Sequence, residues 1–242
     1  LPVPGTLDLW TLDLFRVETP ADRALLTADE LAKSERIIIP RKARQSLRAR
    51  AELRRILGLY LGRAPGRLEF VYGQHGKPDL GPGQHSPSAQ ILSFNLSHSE
   101  AAGLVAVTLD TRRVELGVDV EQTRDSREFE GIARSFFAPD ELAALLAMPP
   151  DERPAGFYRA WTRKEAYLKA LGTGLSFPST GFSISYARGL PSRVLRTTRE
   201  GDDPGRWQMI DVPVPAGFAG AVCWDGDARP MRGFWGPTSA PL

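Results

Sequence analysis

Cysteine is nearly absent from this chain. Of 242 residues only Cys223 carries a thiol. One thiol cannot close an internal disulfide, and no Cys cluster has the spacing of a zinc site. No stretch approaches the roughly 20 apolar residues that span a bilayer, so no membrane association is expected. The opening LPVPGTLDLW has neither Met nor a signal-peptide pattern. With the lone thiol, this makes a reducing, cytoplasmic setting the expectation. No G-x-G-x-x-G follows a strand and no G-x-x-x-x-G-K-[ST] occurs, which argues against dinucleotide-binding and P-loop folds. No G-x-S-x-G elbow surrounds Ser97, which weakens a serine-hydrolase reading.

What is there is an ordinary globular balance, with 42% hydrophobic and 25% charged residues, enough to bury a core. The net charge of +2 hides an uneven distribution. Residues 33–63 hold ten Lys and Arg (Lys33, Arg36, Arg41, Lys42, Arg44, Arg48, Arg50, Arg54, Arg55, Arg63) against Glu35 and Glu52. Such a run attracts phosphates, nucleic acid or an acidic protein, or it is a solvated helix face.

Along the chain, LDLWTLDL (7–14) alternates like a strand. Thr27 with Glu30 forms a capping box that opens a helix. Pro40 interrupts, and a helical pattern runs from about Lys42 to Leu61, with Gly62 placed to end it. LEFVYG (68–73) reads as a short strand and 73–90 as a Gly- and Pro-rich loop. Strand-like segments follow at 91–99, 101–110 and 114–121. The second half begins with one or two helices over 126–148, where Pro139 fits a first helical turn. A clear helix covers 156–172. GFSISYA, RVLRTTR, WQMIDVP and FAGAVCWDG are strand candidates. Helices followed by antiparallel-looking strands in each half predict an α+β fold, divided into an N-terminal half, 1–113, and a C-terminal half, 114–242.

Three stretches carry chemistry. In GVDVE (117–121) alternation sends Leu116, Val118 and Val120 toward a core and Gly117, Asp119 and Glu121 the other way. Carboxylates at i and i+2 lie roughly 7 Å apart along a strand. That suits two oxygens gripping one hard cation such as Mg²⁺, which keeps several waters and substrate phosphates. Taken alone, the pair also fits the polar outer face of a half-exposed strand. In WTRKEAYLKA (161–170) Glu165 and Lys169 are one turn apart, with Trp161 on the same face. Joined to Asp119 and Glu121, Glu165 and Lys169 suit phosphoryl chemistry, where positioning and charge neutralisation dominate. In FNLSHSE (94–100) Ser97 and His98 could grip a phosphate, with arginines of the basic helix adding donors.

FNLSHSE, GVDVE and WTRKEAYLKALGTGL, in this order and spacing, together resemble the 4′-phosphopantetheinyl transferases of the Sfp type. GKP (76–78) and FFAPDE (136–141) resemble that family's lesser motifs, so the likeness runs from about Leu7 to Cys223. It implies a pseudo-dimer of two similar α+β halves with the active site between them, acting as a monomer with pseudo-twofold symmetry. It implies transfer of 4′-phosphopantetheine from coenzyme A to a serine of an apo acyl or peptidyl carrier protein, with release of 3′,5′-ADP. Fatty acid, polyketide and nonribosomal peptide carriers all remain open, and no nucleic acid partner is implied.

Residue by residue, Asp119, Glu121 and Glu165 match the Mg²⁺ ligands, with Mn²⁺ the alternative metal. Glu165 also matches a base for the serine, and Lys169 a contact to the pyrophosphate that protonates the leaving group. Ser97 and His98 match the grip on coenzyme A phosphates, His98 toward the 3′-phosphate. Gly76, Lys77 and Pro78 match the loop that cradles adenine, and Trp161 an aromatic support. Arg44, Arg50 and Arg41 are candidates for completing the phosphate pocket. A metal-dependent nuclease and a non-catalytic coenzyme A or carrier-protein binder are the rival readings. The nuclease lacks the usual acidic-x-Lys spacing on one strand, and the binder would not need every acid–base position filled.

Overall fold

The computed structural model describes residues 3–84, 90–124, 128–186, 189 and 191–236. Residues 85–89 of the expected 73–90 loop, Ser126 and Arg127 of the expected helical stretch, and Ala187 of GFSISYA lie outside them. In chain order the first elements are β1 (Leu7–Asp13), α1 (Pro20–Arg23), α2 (Ala28–Glu35), α3 (Pro40–Leu61), β2 (Phe70–Tyr72), β3 (Pro78–Leu80), β4 (Ile91–Ser99) and β5 (Ala102–Asp110). There follow β6 (Leu116–Gln122), α4 (Glu128–Phe136), α5 (Pro139–Ala147), α6 (Arg153–Leu171) and β7 (Phe182–Ile184). The last are β8 (Val194–Thr197), β9 (Trp207–Asp211), β10 (Phe218–Asp225) and β11 (Met231–Trp235). The expected α+β class holds.

The chain forms two compact units. The first comprises Leu1–Gly73, Pro78–Arg113 and Arg229–Leu242; the second comprises Gln74–Lys77 and Val114–Ala228. The units part between Arg113 and Val114, and two segments, Gln74–Lys77 and Arg229–Leu242, are assigned across that point. The C-terminal segment belongs to the first unit because β11 pairs in parallel with β1, Leu7 opposite Met231 and Trp10 opposite Phe234. Arg232 reinforces that pairing with a two-pronged ion pair to Asp8, both contacts at 2.6 Å. Trp10 stacks on Phe234 at 4.7 Å.

The sheet of the first unit runs β11-β1-β5-β4. Leu53, Ile56 and Leu57 of α3 pack against Trp10, Leu12, Leu92, Phe94 and Val105 of that sheet. Pro40, expected to interrupt, instead occupies the first turn of α3, where the missing N–H costs nothing and φ is already helical. α1, absent from the sequence reading, is held by a capping box of Thr19 and Asp22.

The second unit builds the sheet β6-β10-β9 and the hairpin β7–β8. Its core joins Ala166, Tyr167, Leu168 and Ala170 of α6 to Ala221 and Cys223 of β10, Met209 of β9, and Phe129, Phe137 and Leu145 of α4, α5 and the turn joining them. Among the described residues no helix is long and apolar enough to cross a membrane.

Candidate active site

β6 and α6 make closer contact than ordinary side chains would allow. A Cβ on Gly117 would lie 2.0 Å from the Ala166 carbonyl oxygen and 2.3 Å from the Ala170 nitrogen. Only glycine tolerates such an approach of two backbones. Opposite Gly117, Asp119 and Glu121 on β10 stand Cys223, Ala221 and Ala219, small residues that keep this face flat under the helix. The sequence reading turned Gly117, Asp119 and Glu121 away from the core. The structure corrects this: α6 covers that face, and Asp119 is 2% exposed. Val118 and Val120 are buried on the opposite face.

α6 divides by its periodicity into a buried side and a half-buried stripe. Trp161, Glu165 and Lys169 form the stripe. On the buried side two cations are locked in place. The Arg163 guanidinium donates to both oxygens of Asp211, at 2.7 and 2.6 Å. The Lys164 ammonium donates to Glu141 at 2.6 Å and to the Phe182 carbonyl at 3.1 Å, over the Phe182 ring at 4.0 Å. Glu141 also accepts the Ala138 and Ile184 N–H groups, at 2.8 and 2.9 Å. The sequence reading gave Lys164 no role, and Glu141 only a place at the end of FFAPDE. Their signal was faint, since a Lys beside Glu165 reads as surface charge until its distant partner is known. Trp161 is fixed by Phe157, stacked at 5.7 Å, and by the edge of Phe136 at 5.6 Å.

The stripe meets the strand at Asp119. The Lys169 ammonium pairs with Asp119 Oδ1 at 2.6 Å; the expected one-turn neighbour Glu165 is not its only anion. The Glu165 carboxyl is pushed above the usual carboxylate range by burial first and by the negative charge of Asp119 second, with Lys169 and Lys164 pulling the other way. Two carboxylates therefore feel each other here, and a half-buried Glu121 follows two residues along the same strand face. Among the described residues these carboxylates are not grouped, three or more together, closely enough to hold a metal ion. Their chemistry nonetheless fits Mg²⁺: hard oxygen donors, a surplus of negative charge that lifts Glu165, and no soft ligand.

In the first unit, His98 lies exposed at the end of β4, on the strand face of Leu92, Phe94 and Leu96. Ser97 is buried and points to the opposite face; the two do not share a side as the joint grip expected. Arg41, in the first turn of α3, pairs with Glu100 at 2.6 Å. Glu100 occupies the β4–β5 turn with φ of 48°, so the start of α3 lies beside the His98 end of the strand. That helix start has no side-chain cap, and its N–H groups and dipole favour anions. Arg44 is exposed one turn on.

The rest of the basic run is less available than its sequence suggests. Arg54, 1% exposed at its side chain, pairs with Glu30 at 2.7 Å and donates to the Pro65 and Leu68 carbonyls. Arg55 and Arg48 meet Asp22, at 2.5 and 3.5 Å, and both reach Glu52. Arg50 lies 3.7 Å from Glu30 and over the Phe70 and Tyr72 rings. The counter-charges Asp22 and Glu30 stand outside the window 33–63, so counting charges within it overstated the patch. In GKP, Gly76 takes a φ of 80° and Pro78 opens β3. The Lys77 ammonium reaches the carbonyls of Leu116, Lys169 and Ala170.

The profile of the 4′-phosphopantetheinyl transferase superfamily matches residues 115–223, the span that holds β6, α6 and β10. The chain is 39% identical over 185 residues to the 4′-phosphopantetheinyl transferase HetI of Nostoc sp., covering 73% of this chain and 76% of that protein. It is 35% identical over 118 residues to the 4′-phosphopantetheinyl transferase Sfp of Bacillus subtilis, covering 48% of this chain and 47% of that one. It is 38% identical over 104 residues to the 4′-phosphopantetheinyl transferase AcpT of Salmonella typhimurium, covering 43% and 50%. With a likeness that spans three quarters of the Nostoc protein, and a profile match centred on the carboxylate cluster, this chain belongs to the 4′-phosphopantetheinyl transferases.

Proposed function

We propose that Asp119, Glu121 and Glu165 hold a divalent metal, Mg²⁺ or Mn²⁺, while this enzyme transfers 4′-phosphopantetheine from coenzyme A to a carrier-protein serine. The observation that carries this reading is the coupling of Glu165 to Asp119 beside Lys169. A metal held by Asp119, Glu121 and Glu165 would supply neutralisation of the pyrophosphate charge of coenzyme A. Glu165 accepts the proton of the attacking serine, directly or through one water. Serine Oγ then bonds to the phosphorus that bears the pantetheine arm, and the bond to 3′,5′-ADP breaks. Lys169 donates to the departing phosphate oxygen. Its present partner, Asp119, holds the ammonium beside the cluster. Trp161, clamped by Phe136 and Phe157, keeps the helix stripe in place.

His98 and Arg44 take the 3′-phosphate, aided by the uncapped start of α3. Arg41, Ser97 and Arg50 are weaker candidates: Arg41 and Arg50 already face Glu100 and Glu30, and Ser97 is buried. Gly76 and Pro78 offer backbone to the adenine. The carrier is an acyl or peptidyl carrier protein of fatty acid, polyketide or nonribosomal peptide synthesis. The enzyme works as a monomer in the cytoplasm.

Two tests bear on this. Incubation with coenzyme A, Mg²⁺ and a panel of apo carriers, read by intact mass, should show the added phosphopantetheine, and EDTA should stop it. An EDTA-insensitive rate removes the metal from the reading. The 3′-phosphate placement is tested by binding. Hydrogen bonds to a charged group are each worth roughly 1.5–3 kcal/mol, or about 10- to 150-fold in affinity. His98→Ala and Arg44→Ala should each weaken coenzyme A by that order and leave dephospho-coenzyme A nearly unaffected. Equal weakening of both ligands by calorimetry would place these residues elsewhere.

A further inference from the structure

We propose that Lys77 is a positioning residue of the carboxylate site. Its ammonium clamps the C-terminal end of α6 to the start of β6 and so sets the distance between Asp119 and the Glu165–Lys169 stripe. This rests on the reading of Asp119 and Glu165 given above.

The sequence pattern around GKP suggests a ligand loop, but the lysine side chain has another occupation. An ammonium carries three donors. Those of Lys77 meet the carbonyls of Lys169 at 2.6 Å, Leu116 at 2.9 Å and Ala170 at 3.2 Å. Two of these belong to the last turn of α6. A helix ends with four carbonyls lacking intrahelical partners. Gly172, at φ 69°, turns the chain so that its N–H satisfies Leu168. Lys77 takes Lys169 and Ala170, and its charge lies at the negative end of the helix dipole.

The third acceptor is what makes this a clamp and not a simple cap. The Leu116 carbonyl belongs to the peptide bond leading into Gly117, the residue whose missing side chain admits the helix backbone. The ammonium therefore bridges strand and helix beside the close approach at Gly117. Two residues along the strand stands Asp119. On the helix, Lys77 holds the backbone of Lys169, whose own side chain grips Asp119. A shift of the α6 end would be passed to both members of that pair.

The segment that delivers Lys77 is anchored for the purpose. Gln74–Lys77 is grouped with the second unit although its sequence neighbours on both sides are not. The His75 ring lies 3.3 Å from the Ser176 hydroxyl. A Cβ on Gly174 would come within 3.1 Å of His75 Cβ, and one on Gly172 would touch the Lys77 side chain at 3.5 Å. The turn after α6 is thus packed on this segment from His75 to Lys77.

The test separates positioning from ligand binding. Lys77→Met keeps the length of the side chain and removes its donors. Misplacement of reacting groups by about 1 Å can cost on the order of 10²-fold in rate. We therefore expect a fall of that order in kcat, a higher Mg²⁺ concentration for half-maximal rate, and nearly unchanged metal-free coenzyme A affinity by calorimetry. Amide exchange should quicken in peptides covering residues 116–119 and 165–172. Lys77→Cys alkylated with 2-bromoethylamine restores an ammonium at similar reach and should recover kcat. Cys223, the only native thiol, is buried and its pKa is raised by that burial, which confines the reaction to residue 77. Loss of coenzyme A affinity with kcat retained would make Lys77 a ligand contact and overturn the proposal. So would an unchanged kcat and metal requirement, or alkylation that restores nothing. If Lys77→Met does not unfold cooperatively, Lys77→Gln, which keeps a donor, is read in the same way. Asp119→Asn serves as the reference: if it leaves turnover intact, the site reading fails, whereas a dead Asp119→Asn beside an active Lys77→Met sinks the clamp alone.

Discussion

Glu165→Gln is expected to lower turnover by about 10²–10⁴-fold, the usual loss on removing a positioned general base, without lowering the melting temperature of the metal-free protein at pH 8. The two halves of this result have one cause. Burial and the Asp119 charge hold the Glu165 carboxyl above its ordinary value, so the folded state holds this proton more tightly than the unfolded chain. Stability from the group is fully present below its unfolded pKa and is lost as pH rises through the raised folded value. Above that window the ionised carboxylate strains the native state, a cost that glutamine does not carry. Melts in EDTA should show the variant level with or above the wild type at pH 8, with that advantage gone below the ordinary carboxylate range. A near-normal rate at saturating Mg²⁺ would take Glu165 out of the mechanism. A variant that melts lower than the wild type at pH 8 would mark it as scaffolding.

The elements that carry this cluster were legible because their signals are local. Alternation in GVDVE grouped Gly117, Asp119 and Glu121 on one face, and the one-turn spacing grouped Trp161, Glu165 and Lys169. Which face the helix would cover was not local. Gly117 was the available clue, since a lone glycine inside a strand marks a close backbone approach. The basic run misled for the same reason: Asp22 and Glu30, which neutralise Arg48, Arg54 and Arg55, precede it in sequence and meet it only in the fold. β11 escaped notice because MRGFW gains its pairing from β1, which begins at Leu7, at the other end of the chain. Pro40 could be read as a break or as a first helical residue, and only the chain before it decides. Lys77 drew attention through a motif, yet its acceptors are backbone carbonyls, which no residue pattern displays.

Glu141→Ala is expected to destabilise the protein by about 3–5 kcal/mol, the range for leaving one partner of a buried ion pair uncompensated. Against a typical total of roughly 5–15 kcal/mol, that is a large share. The size follows from what Glu141 satisfies. One oxygen takes the Lys164 ammonium and the Ala138 N–H, and the other takes the Ile184 N–H. Without it Lys164, 2% exposed, keeps the Phe182 carbonyl and ring. Burial already pulls its pKa down while Glu141 holds it up, so in the variant it sheds its proton more readily, which caps the penalty. The double variant Glu141→Leu with Lys164→Met removes both charges and should regain most of the loss, because an apolar pair of similar volume often replaces a buried ion pair at little cost. Turnover in the double variant tells what the pair is for. Arg163 on Asp211 and the Gly117 contact still hold α6, so the double variant should keep substantial activity once it folds. Denaturant unfolding of the single variant with a loss under about 1 kcal/mol, the level of an exposed pair, would mean that Lys164 finds water or another anion. A stable but inactive double variant would instead make the pair part of what aims Glu165, its neighbour in the chain.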